Sequence, residues 1–416
     1  MTSAEESRPP GLLTTAQPPI TDESLIETWP LDWRLDDDSM ILGRPDQGTF
    51  VRIPAIGEPI IVGIRGGLTP HQISDQLLKE YDVVVDVTKF LNGLAAKGFV
   101  RRVDGVPCPS PPLLKPALPW LRPRHVSWLA TRWFTVAWIL IAGSLIAAGI
   151  LTGALRILSA DYFIVNSPTA NVLLNTLGAG VLVAFHEVAH ISMARAYGQP
   201  GRIRLSSRLV FLVAESDVSS IRLVSQGGRI KTYLAGMAWD CMVLGAVATG
   251  YWFVGDLARR VIAAFIFFLA SGLLIQFACF MRSDVYFVLQ DVTGRPNLFP
   301  DALGAWKTRL TSRRAFHWKD VDSAVRRYAW FLLAGSLGVL VWFALVGAPL
   351  AWQLLSSSAH LVIYGVQEGQ VVPIADGAIV LVVEGGIYAF LIFRWIRMLF
   401  DSLRDVYRGR KVADRT

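Results

Sequence analysis

The residues in this chain best suited to chemistry are His186, Glu187, Val188, Ala189 and His190. On a helix, side chains four apart share a face, so both imidazoles can hold one divalent ion while Glu187 reaches a metal-activated water as general base. The expected ion is Zn2+, which acidifies water to a pKa of about 7 and polarises a carbonyl, the two requirements for cutting a peptide bond at neutral pH. On a solvated helix such a pattern would be a weak signal. Here it lies inside an apolar run near 171–194. A charge at membrane depth costs about 2.5–3.5 kcal/mol or more, so three ionisable side chains there mark function. The alternative is a helix end where histidines merely face headgroups or a cavity.

An open tetrahedral site needs a third protein ligand. The remaining histidines, His71, His125, His317 and His360, fall in an N-terminal region, a linker or loops, and only His317 is expected on the correct side near a span. Asp284 is better placed, just past the fourth apolar run and at the depth of the histidine pair. It could instead be a helix-end carboxylate paired with Arg282. Asp240, within the third run, is a further candidate, or else a buried carboxyl satisfied by a neighbouring span.

What must position these groups is a membrane bundle. Of 416 residues 53% are hydrophobic, above the roughly 45–50% of soluble domains, and the mean hydropathy is +0.43. Apolar runs near 133–153, 171–194, 232–254, 261–281, 328–351 and 374–393 are each long enough to cross the hydrocarbon layer, which predicts six spans. Lys and Arg cluster before the first run, between the second and third, between the fourth and fifth, and after the sixth. The 352–373 loop has neither, so both termini are expected on the cytoplasmic side of the cell membrane. Arg259 and Arg260 are the exception, falling on the outer side. Because the basic clusters border apolar runs, the net charge of +7 fits contact with membrane lipid, and nucleic acid is not an expected partner. The cysteines Cys108, Cys241 and Cys279 have no CxxC spacing and predict neither disulfides nor a thiolate metal site. No cleavable signal peptide is visible at the start.

Residues 1–25 read as a disordered tail and 106–128 as a Pro-rich linker. Between them, 26–105 reads as a small α+β domain. Its expected strands are 48–53 and 59–64, its helices open at Thr69-Pro70 and near Val84, and a last strand follows at 99–103. The membrane domain spans 129–400 and a basic cytoplasmic tail 401–416.

Two resemblances add to this reading. The order around Gly66-Gly67-Leu68-Thr69, Phe90-Leu91 and Gly98-Phe99-Val100 resembles PqqD-like winged-helix domains. The resemblance implies that an extended leader peptide is bound on an exposed strand edge. Met281-Arg282-Ser283-Asp284-Val285-Tyr286 through Gln290-Asp291, followed by Pro296-Asn297-Leu298, resembles the signature of the site-2 protease-like family of membrane peptide zinc metalloproteases. That resemblance implies a polytopic α-helical membrane metalloendopeptidase, with Asp284 as third zinc ligand and Glu187 as catalytic base. It also implies that Leu209–Ala214 belongs to a membrane-associated β segment offering an edge to substrate. Two positions depart from the family. Val285 replaces a Gly, and Asp240 ends a segment where the family has Asn to support substrate or oxyanion, a role Asp240 could take only when protonated. The expected partner is a peptide or protein substrate, foremost a ribosomally made precursor losing its leader. Regulated intramembrane proteolysis of a single-span regulator such as an anti-sigma factor is a second expectation. A non-catalytic export or immunity component that binds peptide is a third.

Overall fold

The computed structural model describes residues 18–36, 38–110, 113, 115–155, 159–208, 211–277, 283–295, 297–311 and 316–413. Residues 1–17 of the expected tail, Cys279, Arg282 as a partner for Asp284, and 414–416 lie outside them. The chain divides into two compact units, one of residues 1–119 with 199–201 and 218–225, the other of 120–198, 202–217 and 226–416.

In the first unit, β1 (Ile26–Thr28), β2 (Asp32–Asp36), β3 (Ser39–Arg44) and β4 (Thr49–Pro54) precede three helices, α1 (Gly57–Arg65), α2 (Pro70–Tyr81) and α3 (Val87–Ala96). The strands β5 (Val100–Val103) and β6 (Val106–Pro107) follow. β2, β3 and β4 form an antiparallel meander, and β5 pairs with β1 and β6 in a second sheet. The α+β character is as expected, but Pro59–Ile64 is helical, inside α1, and β1, β2 and β3, which the sequence reading did not foresee, precede the expected strand β4. Pro59 sits in the first turn, where its missing N–H goes unused, and Ile60, Ile61 and Ile64 are buried on one side. The apolar run was equally compatible with a strand. Thr69 opens α2, as its sequence suggested, and closes a capping box with Gln72. Ile20 and Ser24, within the segment expected to be a tail, are buried.

The second unit begins with a short α4 (Pro123–Val126) and then holds α5 (Arg132–Leu151) and α6 (Pro168–Ala196). A hairpin of β7 (Arg202–Arg208) and β8 (Phe211–Asp217) comes next, then α7 (Gln226–Gly250), α8 (Asp256–Ile275), α9 (Asp284–Thr293) and α10 (Leu298–Thr311). The unit ends with α11 (Ser323–Trp342), α12 (Ala348–Glu368) and α13 (Val371–Ala413). Among the described residues six helices are long and apolar enough to cross a membrane. The fifth differs from expectation. The 352–373 stretch is not a loop, because α11 and α12 run on as one 46-residue apolar helix from Ser323 to Glu368, which turns only at Gly369 in the left-handed region (φ +67°). At 1.5 Å per residue that is about 69 Å, more than twice the hydrocarbon thickness. The join is a π-helical turn, Phe343–Gly347, one residue short of Pro349. Proline lacks an N–H and crowds the carbonyl four residues back, so the widened turn absorbs the mismatch without ending the helix.

α6 carries the histidine pair, and its N-terminal end is fixed by a residue from another long apolar helix. Asp376 of α13 accepts from Ser167 Oγ at 2.9 Å and Thr169 N at 3.0 Å, supplementing the N-cap that Ser167 makes to Ala170 N. Replacing Asp376 by Ala is expected to lower stability by about 1–2 kcal/mol, read as a reduced thermal midpoint in detergent, because two donors in an apolar setting lose their acceptor.

Candidate metal centre

α7 approaches α6 closely because its facing ridge is small: Gly228, Thr232, Gly236 and Asp240 recur every four residues and are all buried. A Cβ at Gly236 would overlap the His186 imidazole, so only glycine fits there. Gly245 plays the same part toward α5, where an added Cβ would lie 2.6 Å from Leu145 Cβ. Aromatic stacking seals the same contact: Trp239 stacks on Phe185 at 5.8 Å, each being the neighbour of a site residue, and Trp138 donates to the Ala238 carbonyl at 2.9 Å.

On that face His186 Nδ1 donates to Asp240 Oδ2 at 2.7 Å, and His190 Nδ1 donates to the Thr232 carbonyl at 2.8 Å. A carbonyl only accepts, so Nδ1 of His190 bears its proton and a neutral ring presents a bare Nε2. Both Nε2 atoms point to one place, 3.1 Å apart, and Asp284 Oδ2 joins them at 3.1 Å from His186 and 3.4 Å from His190. Among the described residues His186, His190 and Asp284 form the one group of His, Cys, Asp and Glu side chains able to hold a metal ion. Three lone-pair donors so close repel one another unless a cation lies among them. The triangle also has the right size, since ligands about 2.0–2.1 Å from a tetrahedral ion stand about 3.3 Å apart. These residues therefore fit a bound divalent ion.

Asp284 begins α9, and several contacts hold that helix in place. Its own N–H donates to Gln276 Oε1 at 3.1 Å, and Ser283 Oγ donates to the Gln276 carbonyl, tying α9 to the end of α8. Arg229 of α7 forms a two-pronged, largely buried pair with Asp291, and Tyr233 stacks on Phe287 at 5.7 Å. Burial disfavours charge on Asp284. With no ion between them, protonated imidazoles of His190 and His186, through charge and hydrogen bonding, outweigh this and hold the carboxyl well below the usual carboxylate range.

Thus the structure brings His186, His190 and Asp284 together as the sequence suggested. Glu187 is half-buried one residue along from His186 and accepts at Oε2 from Ser216 N at 2.7 Å. Asp240 is engaged with His186 Nδ1, so its oxygen is directed at a ligand ring. His317 belongs to no such group. Sequence reasoning missed Thr232, Gly236, Gln276 and the Arg229–Asp291 pair. The four-residue recurrence of small and polar side chains from Gly228 to Asp240 was the readable signal for the first two.

In comparisons with known proteins, no family model matches the sequence, and neither a curated protein nor a solved structure matches it.

His186→Ala, His190→Ala and Asp284→Ala are each expected to abolish stoichiometric divalent metal in the purified protein, measured by elemental analysis. Asp240→Ala should retain the ligands but bind metal about 10–100-fold more weakly, the usual effect of losing the acceptor behind a ligating histidine. Gly236→Ala should remove metal binding by displacing the His186 ring.

Proposed function

We propose that this chain is a membrane-embedded zinc metallopeptidase of the site-2 protease type that cuts a peptide delivered from the cytoplasmic side. The observation that carries the proposal is the convergence of two Nε2 atoms and one carboxylate oxygen within 3.1–3.4 Å, with both Nδ1 atoms engaged behind them and a carboxylate, Glu187, next to one ligand. Zinc is the metal this set suits. Two imidazoles and one carboxylate leave a fourth tetrahedral position open, the arrangement of catalytic rather than structural sites. The chemistry such an ion supplies when bound is polarisation of a carbonyl and acidification of a water.

The chain's own residues account for the rest. His186 and His190 are held in one tautomer by Asp240 and Thr232, so no reorientation is needed when the ion binds. Asp284 stays anionic and offsets ionic charge. Glu187 takes a proton at its carboxylate and returns it to the departing amine. The surrounding apolar helices limit water, which strengthens each of these interactions. With the termini on the cytoplasmic side, as the Lys and Arg distribution favours, the site opens to that side. The first unit is a candidate leader-binding domain of PqqD-like winged-helix kind, with β2 and β4 as the outer strands of its meander. A ribosomally made precursor peptide is therefore the favoured substrate.

Glu187→Gln should retain zinc yet lose cleavage by about 10²–10⁴-fold, the usual contribution of a general base, while a chelator should abolish activity and zinc restore it. A variant that keeps both zinc and full function would overturn the peptidase reading in favour of a peptide binder.

A further inference from the structure

α8 opens with Arg259 and Arg260 in its first turns, and no step of the proposed reaction uses them. The 20 residues of α8, about 30 Å of helix, separate this end from Gln276, which receives the Asp284 amide. Both arginines line a cavity of about 270 Å³ together with Asp161, Phe163, Tyr251 and Asp256. The guanidinium of Arg259 lies over the rings of Tyr251 and Trp252, 5.7 and 5.9 Å from their centroids, and Nη2 donates to the Val254 carbonyl at 3.1 Å. Its Nε has no acceptor. The pair it makes with Asp256 is long, 3.7 Å, and that carboxylate is 92% exposed, so the contact contributes little and leaves both groups open to a better partner. Arg260 is exposed and, among the described residues, has neither hydrogen bond nor ion pair.

Two guanidinium groups and two carboxylates thus share one cavity, which is neutral as a whole but carries both signs. A simple anion would meet the carboxylates there, and a simple cation would meet the arginines. A ligand that bears both charges satisfies each: the planar fork of Arg takes phosphate oxygens, and a carboxylate accepts from a primary ammonium. The neighbouring surface indicates a lipid. Trp252, Phe253 and Leu257, next to the cavity residues along the chain, are 51, 84 and 65% exposed, at the joined ends of two helices apolar enough to cross a membrane. Aromatic side chains in that position mark the boundary between headgroups and hydrocarbon. We propose that this cavity binds the headgroup of a phosphoethanolamine lipid, its phosphodiester on Arg259 and Arg260, its ammonium on Asp161 and Asp256, and its acyl chains along the exposed apolar side chains beside them. A choline headgroup fits less well, because its quaternary nitrogen has no N–H to donate. The assignment makes no use of the peptidase reading. It gives the two arginines that break the charge asymmetry of the other loops a lipid phosphate to serve. Because Asp161 and Phe163 precede α6 while Tyr251 and the arginines belong to the α7–α8 connection, a lipid bound here joins the start of the histidine helix to its neighbours.

The test uses full-length protein purified in a maltoside detergent and stripped of lipid, with native mass spectrometry reading the dissociation constant of the first bound lipid. Dioleoyl phosphatidylethanolamine, phosphatidylglycerol and phosphatidylcholine are titrated in turn, and phosphoethanolamine without acyl chains in parallel. The ethanolamine lipid should bind about fivefold to tenfold more tightly than the other two, the worth of one charge-assisted contact. Arg260→Gln, a change at an exposed side chain, should weaken it by about tenfold, and Arg260→Lys, which keeps the charge but not the fork, by less. Asp256→Asn should erase the preference for ethanolamine over glycerol while phosphatidylglycerol still binds. Arg404→Gln, at an exposed position far along α13, should change nothing. Equal binding of the three lipids overturns the proposal, as does unchanged affinity in Arg260→Gln, or a loss in Arg404→Gln as large as in Arg260→Gln, which would mean general attraction to positive charge. Phosphoethanolamine that binds as tightly as the lipid assigns the cavity to a soluble zwitterion and overturns the lipid assignment. Metal content, measured on the same samples, should be the same in every variant, so the result stands apart from that of the metal centre.

Discussion

Everything in the membrane unit turns on how closely α7 can approach α6. Two imidazoles on one helix face would rotate freely among several rotamers if only lipid or bulky side chains lay opposite. The small ridge of α7 brings the Thr232 carbonyl and the Asp240 carboxylate within 2.8 and 2.7 Å of the two Nδ1 atoms. Each bond removes a rotamer choice and decides which ring nitrogen is bare. Convergence of both Nε2 atoms on Asp284 then creates a local excess of lone pairs, which an ion relieves. The site is preorganised because its supports are main chain and buried carboxylate, neither of which needs to move.

The remaining polar groups near the site follow the same economy. A charge within an apolar bundle is tolerated when it has a geometrically good partner, and breaking one partner of a buried pair leaves the other uncompensated. Arg229 and Asp291 meet that condition and join α7 to α9, so the helix supplying the third ligand is tied to the helix orienting the first two. Asp376 does similar service at the opposite end of α6, satisfying donors of the first turn that lipid could not. The histidine helix is thereby held at its start by α13 and near its end by α7 and the β7–β8 hairpin. A long helix fixed at both ends keeps its face in register with the site.

Where the resembling family has Asn, Asp240 is spent on His186, and a carboxylate makes a stronger acceptor for an imidazole N–H than an amide would. The oxyanion role that the resemblance implies for this position would require Asp240 to be protonated and turned toward substrate, whereas its observed partner is the His186 ring. Val285 follows Asp284 in the first turn of α9, an ordinary helical position that needs no glycine.

The sequence by itself determined the apolar segments long enough to cross a membrane, the HEVAH face and the candidacy of Asp284, because hydrophobic length and helical spacing are local properties that survive any packing. It also carried the helix start at Thr69-Pro70 and the α+β nature of the first unit. It could not decide between strand and helix for Pro59–Ile64, since a short apolar run is compatible with either until its neighbours are known. Nor could it reveal that 352–368 continues a helix, because the helix is fixed there by close approach of α13 at Ser358 and Gly365, a contact that no local pattern shows. Only the tertiary structure decided what Asp240, Thr232, Gly236 and Ser216 do. Their partners lie 54, 42, 50 and 29 residues away along the chain, and the forces that join them, steric clearance and hydrogen-bond direction, exist only once α6, α7 and the hairpin are packed.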